Sequence, residues 1–193
     1  MGRWEPNARG RLERAAMELY MARGFESTTV AEIAERAGLT ERTFFRHFAD
    51  KREVLFGGAG TLQELMVSSV RQAPTGLAPI EVIATALVEV ATVAFEQRRD
   101  FARQRQAIIA ANADLREREL IKLASLGSAL AGAMRGRGVS DPAAGLAAEA
   151  GIAVFKTAFE RWIAETAERP LAKVIQESMD DLRAVTAGLT PAG

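Results

Sequence analysis

The fold is decided by residues 28–48, which read TTVAEIAERAGLTERTFFRHF. Thr29 and Glu32 are three positions apart, which is the capping-box spacing that starts a helix. That helix should end at Gly38, because glycine readily adopts the left-handed backbone conformation that follows a helix. Thr40 can then cap the next helix. Two short helices joined by so tight a turn, after an earlier helix, predict a helix-turn-helix layout.

The second helix of this pair has two chemically different faces. At about 100° per residue, Phe44 and Phe48 face one way and can pack against the preceding helix. Arg42 and Arg46 lie on the opposite face, one helical turn apart. Arginine presents paired donors to guanine edges or phosphates, and an exposed phenyl such as Phe45 can cover a thymine methyl group or a sugar. An aromatic inner face and an arginine outer face suit a helix that enters a DNA major groove.

Residues 28–51 resemble the N-terminal signature of the TetR family of transcriptional regulators. Residue types and spacings agree with that family from roughly Leu12 to Leu55, whereas the rest of the chain matches it only in layout. The resemblance implies an all-helical homodimer in which each subunit carries an N-terminal DNA-binding domain and a C-terminal domain for dimerisation and effector binding. We place these two domains at residues 1–56 and 57–193.

The resemblance also assigns residues to DNA contacts by position. Thr29 and Thr40 would contact phosphates at helix N-termini, and His47 and Lys51 would hold the DNA backbone. The family usually has tyrosine where this chain has Phe45, so the phosphate bond of a phenol hydroxyl is lost. Phe45 is therefore expected to make an apolar contact or to be partly core. The whole predicted DNA-binding set is Thr29, Thr40, Glu41, Arg42, Thr43, Phe45, Arg46, His47 and Lys51.

Helical periodicity continues through the rest of the chain without sustained period-two alternation, so the predicted fold class is all-α. A long helix begins at Asp141 and reaches about Ala167, and a last helix begins at Pro170. The long helix carries a small-residue face, which we interpret as packing across the homodimer together with an apolar stripe of the last helix. The small face is Ala147, Ala150, Gly151, Val154 and Ala158, and the stripe is Leu171, Val174, Ile175, Met179 and Leu182.

A candidate effector site is suggested by aromatic residues on three of the C-terminal helices. Ligand sites in helical proteins tend to lie between helices, lined by apolar and aromatic groups with a few polar ones. The predicted lining is Phe95, Phe101, Phe155, Phe159 and Trp162, with Gln104 as a polar anchor. An ordinary hydrophobic core explains the same aromatics equally well, and Gln104 equally fits a solvated helix edge.

The composition excludes several classes of site. With 25 basic and 25 acidic residues the formal net charge is zero, so DNA binding has to come from the local placement of charge. Cysteine is absent and His47 is the only histidine, which excludes disulfides, thiolate sites and multi-histidine metal sites. The sequence contains no carboxylate or phosphate-loop motif that we recognise, so we predict neither enzyme activity nor a cofactor.

We expect neither a leader nor a membrane segment. The N-terminal residues lack the apolar run of a signal peptide. The longest uncharged run in the apolar parts of the chain, residues 123–134, is shorter than the roughly 20 residues that span a bilayer. The predicted location is therefore the cytoplasm.

Together these patterns predict a DNA-binding transcriptional regulator, most simply a repressor that a small apolar or amphipathic ligand releases from a palindromic duplex operator. Two alternatives stay open, namely a helical module whose three-helix head binds another protein and a transcriptional activator of the same fold. Binding to duplex DNA that weakens steeply as salt rises would favour the DNA-binding interpretations.

Overall fold

The computed structural model describes residues 7–95, 97–166 and 168–188. These residues form ten helices and no strand, so the all-α prediction is confirmed. The chain divides into two compact units: the first extends to Ala59 and includes Gln104–Glu119, and the second comprises Gly60–Arg103 and the chain from Leu120 onward. The helices are α1 (Ala8–Arg23), α2 (Val30–Arg36), α3 (Glu41–His47), α4 (Glu53–Phe56), α5 (Ala59–Gln72), α6 (Pro79–Phe95), α7 (Arg99–Ala110), α8 (Ala113–Gly136), α9 (Asp141–Ala164) and α10 (Leu171–Thr186).

Local capping interactions set the ends of α2 and the start of α3. The Glu32 N–H donates to the Thr29 hydroxyl at 3.3 Å, and the Thr29 N–H donates to the Glu32 carboxylate at 2.8 Å, so the predicted capping box is present. Gly38 follows α2 with φ of +65°, a conformation that glycine adopts without steric strain. The Thr43 N–H donates to the Thr40 hydroxyl at 3.2 Å. The predicted bounds of these two helices are confirmed to within two residues.

The core of the first unit forms around buried side chains of its N-terminal helices. Leu12, Ile33 and Phe44 are completely buried, and Phe48 is nearly so. The rings of Phe44 and Phe48 lie with their centroids 5.5 Å apart. Because both rings point into this core, the inner face of α3 is fixed and its opposite face is turned to solvent. The predicted inner face of this helix is therefore confirmed.

The segment Gln104–Glu119 packs with the N-terminal helices. Its Ile109 and Leu115 are fully buried in the first unit's core. The Arg105 guanidinium donates from Nε to the carbonyl of Leu55 at 2.7 Å, which ties α7 to α4. The sequence pattern assigns this segment to the C-terminal domain, because apolar periodicity shows which side of a helix is buried but not which helices cover it. The functional division after residue 56 stays a prediction.

The small-residue face of α9 packs against α6 of the same chain. A Cβ atom at Gly151 would overlap Cγ2 of Ile83, so the two helices approach closely at this glycine. Ala147, Val154 and Ala158 of the same face are buried. The prediction that this face packs across a dimer is wrong, because α6 already covers it.

The apolar stripe of α10 is also internal to the chain. It packs on the core of the second unit, and four of its members are buried: Leu171, Val174, Ile175 and Met179. The prediction that this stripe packs across a dimer is therefore wrong, because the stripe is already buried within its own chain. α10 begins directly after Pro170, as predicted, and α9 ends at Ala164. The predicted end of α9 near Ala167 lies outside the described residues.

Candidate functional site

The outward face of α3 carries two exposed arginines. Arg42 and Arg46 lie one helical turn apart, opposite the buried Phe44. Among the residues that the structure describes, neither guanidinium forms an ion pair or a hydrogen bond. Arg36 of the preceding helix, by contrast, pairs with Glu18 at 2.8 Å. The outward face of α3 thus holds two positive charges that the described part of the protein leaves unneutralised.

The two threonines predicted to contact phosphates lie at helix N-termini, where their hydroxyls already cap the helices. Thr29 Oγ1 donates to the Glu32 carboxylate at 2.8 Å. Hydrogen bonds from the Thr29 N–H and hydroxyl hold the pKa of Glu32 below its usual range. The hydroxyls of Thr40 and Thr43 lie 3.1 Å apart, at hydrogen-bonding distance. Thr29 and Thr40 are exposed, and their contacts with phosphate stay predictions.

Lys51 uses its ammonium group inside the protein. Its Nζ donates to the carbonyls of Phe25, Glu26 and Thr28 at 3.0, 3.2 and 2.9 Å. The same Nζ lies 4.5 Å from the centroid of the Phe25 ring. The Tyr20 hydroxyl donates to the Lys51 carbonyl at 2.7 Å. Because an ammonium has three donors, a phosphate contact from Lys51 requires that at least one of these bonds be released.

His47 and Glu41 occupy opposite ends of α3. The Nε2 atom of His47 is buried and has no hydrogen-bond partner among the described residues, so a phosphate contact through that atom requires the ring to turn outward. Glu41 is exposed in the first turn of the helix. The structure therefore places both residues on the predicted helix, while their contacts with DNA stay predictions.

Phe45 is not part of the core. It is 55% exposed. Its ring meets Phe44 edge to face, with centroids 5.5 Å apart and planes at 83°. Of the two roles that the sequence left open, a place in the core is thereby excluded, and an apolar contact on the surface of α3 is the one that remains.

Four of the six predicted effector-site residues form an aromatic cluster in the second unit. The Phe95 ring lies 6.0, 5.9 and 6.2 Å, between centroids, from Phe155, Phe159 and Trp162. Trp162 Nε1 donates to the carbonyl of Arg169 at 2.9 Å. These edge-to-face and tilted contacts are the usual geometry of aromatic rings that pack on one another. A ligand site at this aromatic cluster stays a prediction.

Phe101 and Gln104 do not join the aromatic cluster. Phe101 is 43% exposed, and Gln104 is exposed and belongs to the first unit. The orientation of α7 explains the position of Phe101. Arg99 and Arg103 donate from Nε to carbonyls at the end of α9 at 2.8 and 2.9 Å, which turns Phe101 to the opposite side of α7. These two arginines were not among the residues predicted from the sequence, although their spacing of four residues was an available signal.

Two open grooves lie on the second unit, away from the predicted effector residues. The groove between α6 and α10 has a volume of about 480 Å³. The groove between α5 and α6 has a volume of about 360 Å³, within the range of small-molecule sites. The latter groove combines apolar and polar side chains, namely Leu65, Val90, Val93, Ser68, Ser69, Gln72 and Glu89.

The described part of the chain contains neither a candidate metal site nor a helix that could span a membrane. Within the described ranges, no histidine and carboxylate side chains are grouped in a way that could hold a metal ion. None of the described helices is both long enough and apolar enough to cross a membrane.

Comparisons with known proteins cover both parts of the chain. Residues 13–56 match the family model of bacterial regulatory proteins of the tetR family, and residues 77–187 match that of the MftR C-terminal domain. The transcriptional regulator TcmR of Streptomyces glaucescens is 40% identical over 78 residues, which cover 40% of this chain and 34% of TcmR. The transcriptional activator FasR of Mycolicibacterium smegmatis is 37% identical over 65 residues, which cover 34% of this chain and 30% of FasR. The chain thus spans about a third of the length of these curated relatives.

Solved structures match nearly the whole chain. FadR of Thermus thermophilus, a TetR-family repressor solved in complex with lauroyl-CoA, is 27% identical, with 96% of each chain covered and a TM-score of 0.53. FadR of Bacillus subtilis, solved in complex with stearoyl-CoA, is 17% identical over 90% of this chain and 96% of that one, with a TM-score of 0.62, and it shows the fold alone. Because one family model matches the helix-turn-helix and the other matches more than half of the chain, this protein belongs to the TetR family of bacterial transcriptional regulators.

Proposed function

We propose that this regulator binds a two-fold symmetric duplex operator through α3 and represses transcription until a small ligand releases it. The observation that carries the proposal is that Arg42 and Arg46, on one face of α3, are exposed and have no partner among the described residues. A guanidinium can donate two hydrogen bonds to O6 and N7 of guanine, or to a phosphate. Because Phe44 and Phe48 anchor the inner face of the helix, the two arginines project from a fixed support.

A two-fold symmetric operator requires a homodimer whose two DNA-binding domains contact half-sites about 34–36 Å apart, or a multiple of that distance. The support for an interface is an uncovered side of α9. Leu146 is 74% exposed, and Ala153 and Thr157 are exposed on the same side of the helix. An exposed leucine followed by small residues lets a second copy of α9 approach, and we infer pairing about a two-fold axis through this face.

The proposed effector is a molecule with a long apolar chain. This part of the proposal is supported by the lauroyl-CoA bound to FadR of Thermus thermophilus, which resembles this chain over nearly its whole length. The aromatic cluster and the groove between α5 and α6 are two candidate places for such a chain. Release requires that the ligand bind more tightly to a conformer with lower operator affinity. Such a regulator works on chromosomal DNA in the cytoplasm. Activation by the same fold is the alternative, since FasR is named an activator.

The DNA-binding proposal is tested by selecting bound duplexes from a random pool and measuring affinity for the selected site. Arg42→Ala should weaken specific binding by about 1–3 kcal/mol, because alanine cannot form the two hydrogen bonds of arginine to a base. Arg71→Ala is the matched control, since it removes an exposed arginine from α5 in the other unit. A pool that yields no enriched site, or equal weakening by the two variants, would refute the proposal.

The effector proposal is tested with lauroyl-CoA as the probe. In a Trp4→Phe background Trp162 is the only tryptophan, so its emission reports on the aromatic cluster. We expect lauroyl-CoA to change this emission and to lower operator affinity, whereas coenzyme A without an acyl chain should do neither. Unchanged operator affinity at saturating lauroyl-CoA would remove the acyl ligand from the proposal and would leave DNA binding by α3 untouched.

A further inference from the structure

Phe45 places an apolar ring on a surface that otherwise carries charged and polar groups. It exposes 55% of its surface, while Phe44 and Phe48 of the same helix are buried. We propose that Phe45 recognises the 5-methyl group of a thymine in each operator half-site and is a specificity-determining residue of this regulator. This inference rests on the proposed function, because it assumes that α3 enters the major groove.

The fold does not require this ring to be where it is. Within the described part of the chain, the ring contact of Phe45 is the edge-to-face contact with Phe44, at 5.5 Å between centroids. That contact leaves more than half of the residue in water, where a phenyl group gains nothing from hydrophobic burial. It also restricts the orientation of the ring, so little conformational freedom is lost when a partner covers the exposed side.

The neighbours of the ring indicate what kind of partner covers it. Arg42 lies three residues before Phe45, and residues three apart are neighbours on a helix surface. Arg46 follows Phe45 directly in the chain. Both guanidiniums are exposed and unpaired among the described residues, so the ring is bordered by two free positive charges. Those charges complement the phosphates of a duplex, whereas an apolar protein surface would have to bury them without partners.

The chemistry of the ring selects the group that it touches. A phenyl has no hydrogen-bond donor or acceptor, so Phe45 cannot bind a phosphate or the polar edge of a base. Among the groups that bases present in the major groove, the C5 methyl of thymine is the apolar one. A tyrosine at this position would add a hydroxyl that can reach a phosphate. With phenylalanine the apolar contact alone remains, and it distinguishes thymine from the other bases.

The test removes this methyl group from the operator. An operator is first selected from a random duplex pool. Each thymine of a half-site, together with its symmetry mate, is then replaced by deoxyuridine, which keeps every polar atom and lacks only the methyl. At one position we expect the wild type to lose about fourfold in affinity per half-site, hence roughly fifteenfold for the symmetric pair, which is the factor that corresponds to burying one methyl-sized group.

Variants assign the methyl contact to Phe45. Phe45→Ala should bind the thymine operator more weakly and should no longer distinguish it from the deoxyuridine operator. Phe45→Tyr keeps the ring and should keep the distinction. Arg42→Ala should bind both operators more weakly and should still distinguish them, which separates loss of affinity from loss of methyl recognition. Thermal unfolding of each variant checks that the domain is folded, and Phe45→Leu, with a reduced distinction, replaces Phe45→Ala if the latter does not fold.

The possible outcomes separate this inference from the proposed function. If the pool yields no operator, the proposed function itself fails. If it yields an operator but no exchange of thymine for deoxyuridine changes wild-type affinity, the methyl contact is refuted. A Phe45→Ala variant that retains the full distinction would assign the methyl to another side chain. If Phe45→Ala weakens binding while the wild type is indifferent to the methyl, the ring contacts deoxyribose, and the inference is likewise overturned.

Discussion

Replacing Lys51 with methionine separates two roles for this residue that lead to opposite results. The family resemblance implies that Lys51 contacts the DNA backbone. In the structure its Nζ instead donates to the carbonyls of Phe25, Glu26 and Thr28 and lies over the Phe25 ring. Methionine keeps most of the length and the apolar stem of lysine and removes the donors and the charge. If the internal hydrogen bonds are the main role of Lys51, Lys51→Met should lower the stability of the domain and should leave the DNA affinity of the folded protein nearly unchanged.

The size of this effect follows from the acceptors that the substitution leaves behind. The hydrogen bonds to Phe25 and Thr28 are partly buried, and the bond to Glu26 is exposed, so water can replace the last one. The partly buried Thr28 carbonyl that loses its partner costs about 1–3 kcal/mol, and partial access of water reduces this cost. The Phe25 carbonyl still accepts from the Thr28 N–H at 3.2 Å, so its loss of the ammonium costs less. We expect the free energy of unfolding to fall by about 1–3 kcal/mol, a sizeable share of the roughly 5–15 kcal/mol of a typical domain.

Denaturant unfolding of the full chain measures this decrease, and amide exchange in residues 25–29 reports directly on opening of the loop that Lys51 holds. Arg36→Met is the matched control, because its exposed ion pair with Glu18 should contribute no more than about 1 kcal/mol. The internal role of Lys51 is refuted if Lys51→Met unfolds like the wild type but binds all DNA sequences more weakly. In that case the salt slope of binding should fall by about 0.9 for each phosphate that the protein no longer neutralises.

Three further substitutions test other parts of the structure. Gly151→Ala should lower the free energy of unfolding by about 1–3 kcal/mol, because its Cβ would overlap the buried Ile83. Gly145→Ala on the same helix meets nothing within 4 Å and should raise the free energy of unfolding by about 0.5–1 kcal/mol. Equal effects of the two variants in thermal unfolding would contradict the close approach of α6. Leu146→Arg should give a monomer in light scattering, and Leu120→Arg, at another exposed leucine, on α8, should leave the mass unchanged; a wild type that is already monomeric at micromolar concentration would refute the proposed dimer. Hydrogen bonds from Arg169, together with the charges of Arg161 and Arg99, hold the pKa of Glu165 below its usual range. The ionised Glu165 therefore stabilises the folded protein near neutral pH, and this contribution is lost as the pH falls from about 4 through the lowered pKa. Glu165→Gln should flatten this acid-side loss of unfolding free energy, and Glu160→Gln, at an exposed site near the end of α9, is the control.

The sequence predicted best what local interactions decide. The ends of α2 and α3 follow from a capping box, a left-handed glycine and a threonine cap, all of which act within three or four residues of Thr29, Gly38 and Thr40. The two faces of α3 follow equally directly, because Phe44 and the arginines lie on opposite sides of a single turn. A pattern that is complete within one helix and its caps can be interpreted without knowledge of the rest of the fold.

The predictions that failed depended on which element covers a given face. The small face around Gly151 was correctly identified as a site of close helix packing, but its partner is α6 of the same chain and not a second subunit. The ligand site at Phe95 and Phe155 stays a prediction, because aromatic residues on α6 and α9 fit a packed core and a ligand pocket equally well. Phe101 was grouped with them by residue type, and its orientation is set by the arginines of α7, which bind carbonyls on another helix. Such contacts join residues about 60 positions apart, and the spacing of the two arginines alone does not show which helix they contact.

The neutral composition of the chain and its recognition of DNA are compatible because pairing decides which charges remain available. Arg23 bonds Glu32 at 3.0 Å, Arg52 bonds Asp50 at 2.8 Å, and Lys51 is occupied by backbone carbonyls. Among the described residues of α3, Arg42 and Arg46 are left without such partners. Two arginines can neutralise few phosphates, so α3 by itself gains little from non-specific attraction. If α3 enters the major groove as we propose, discrimination among DNA sequences depends on the base edges that these two arginines and the ring of Phe45 contact. The identity of single bases should then matter more to this protein than overall charge.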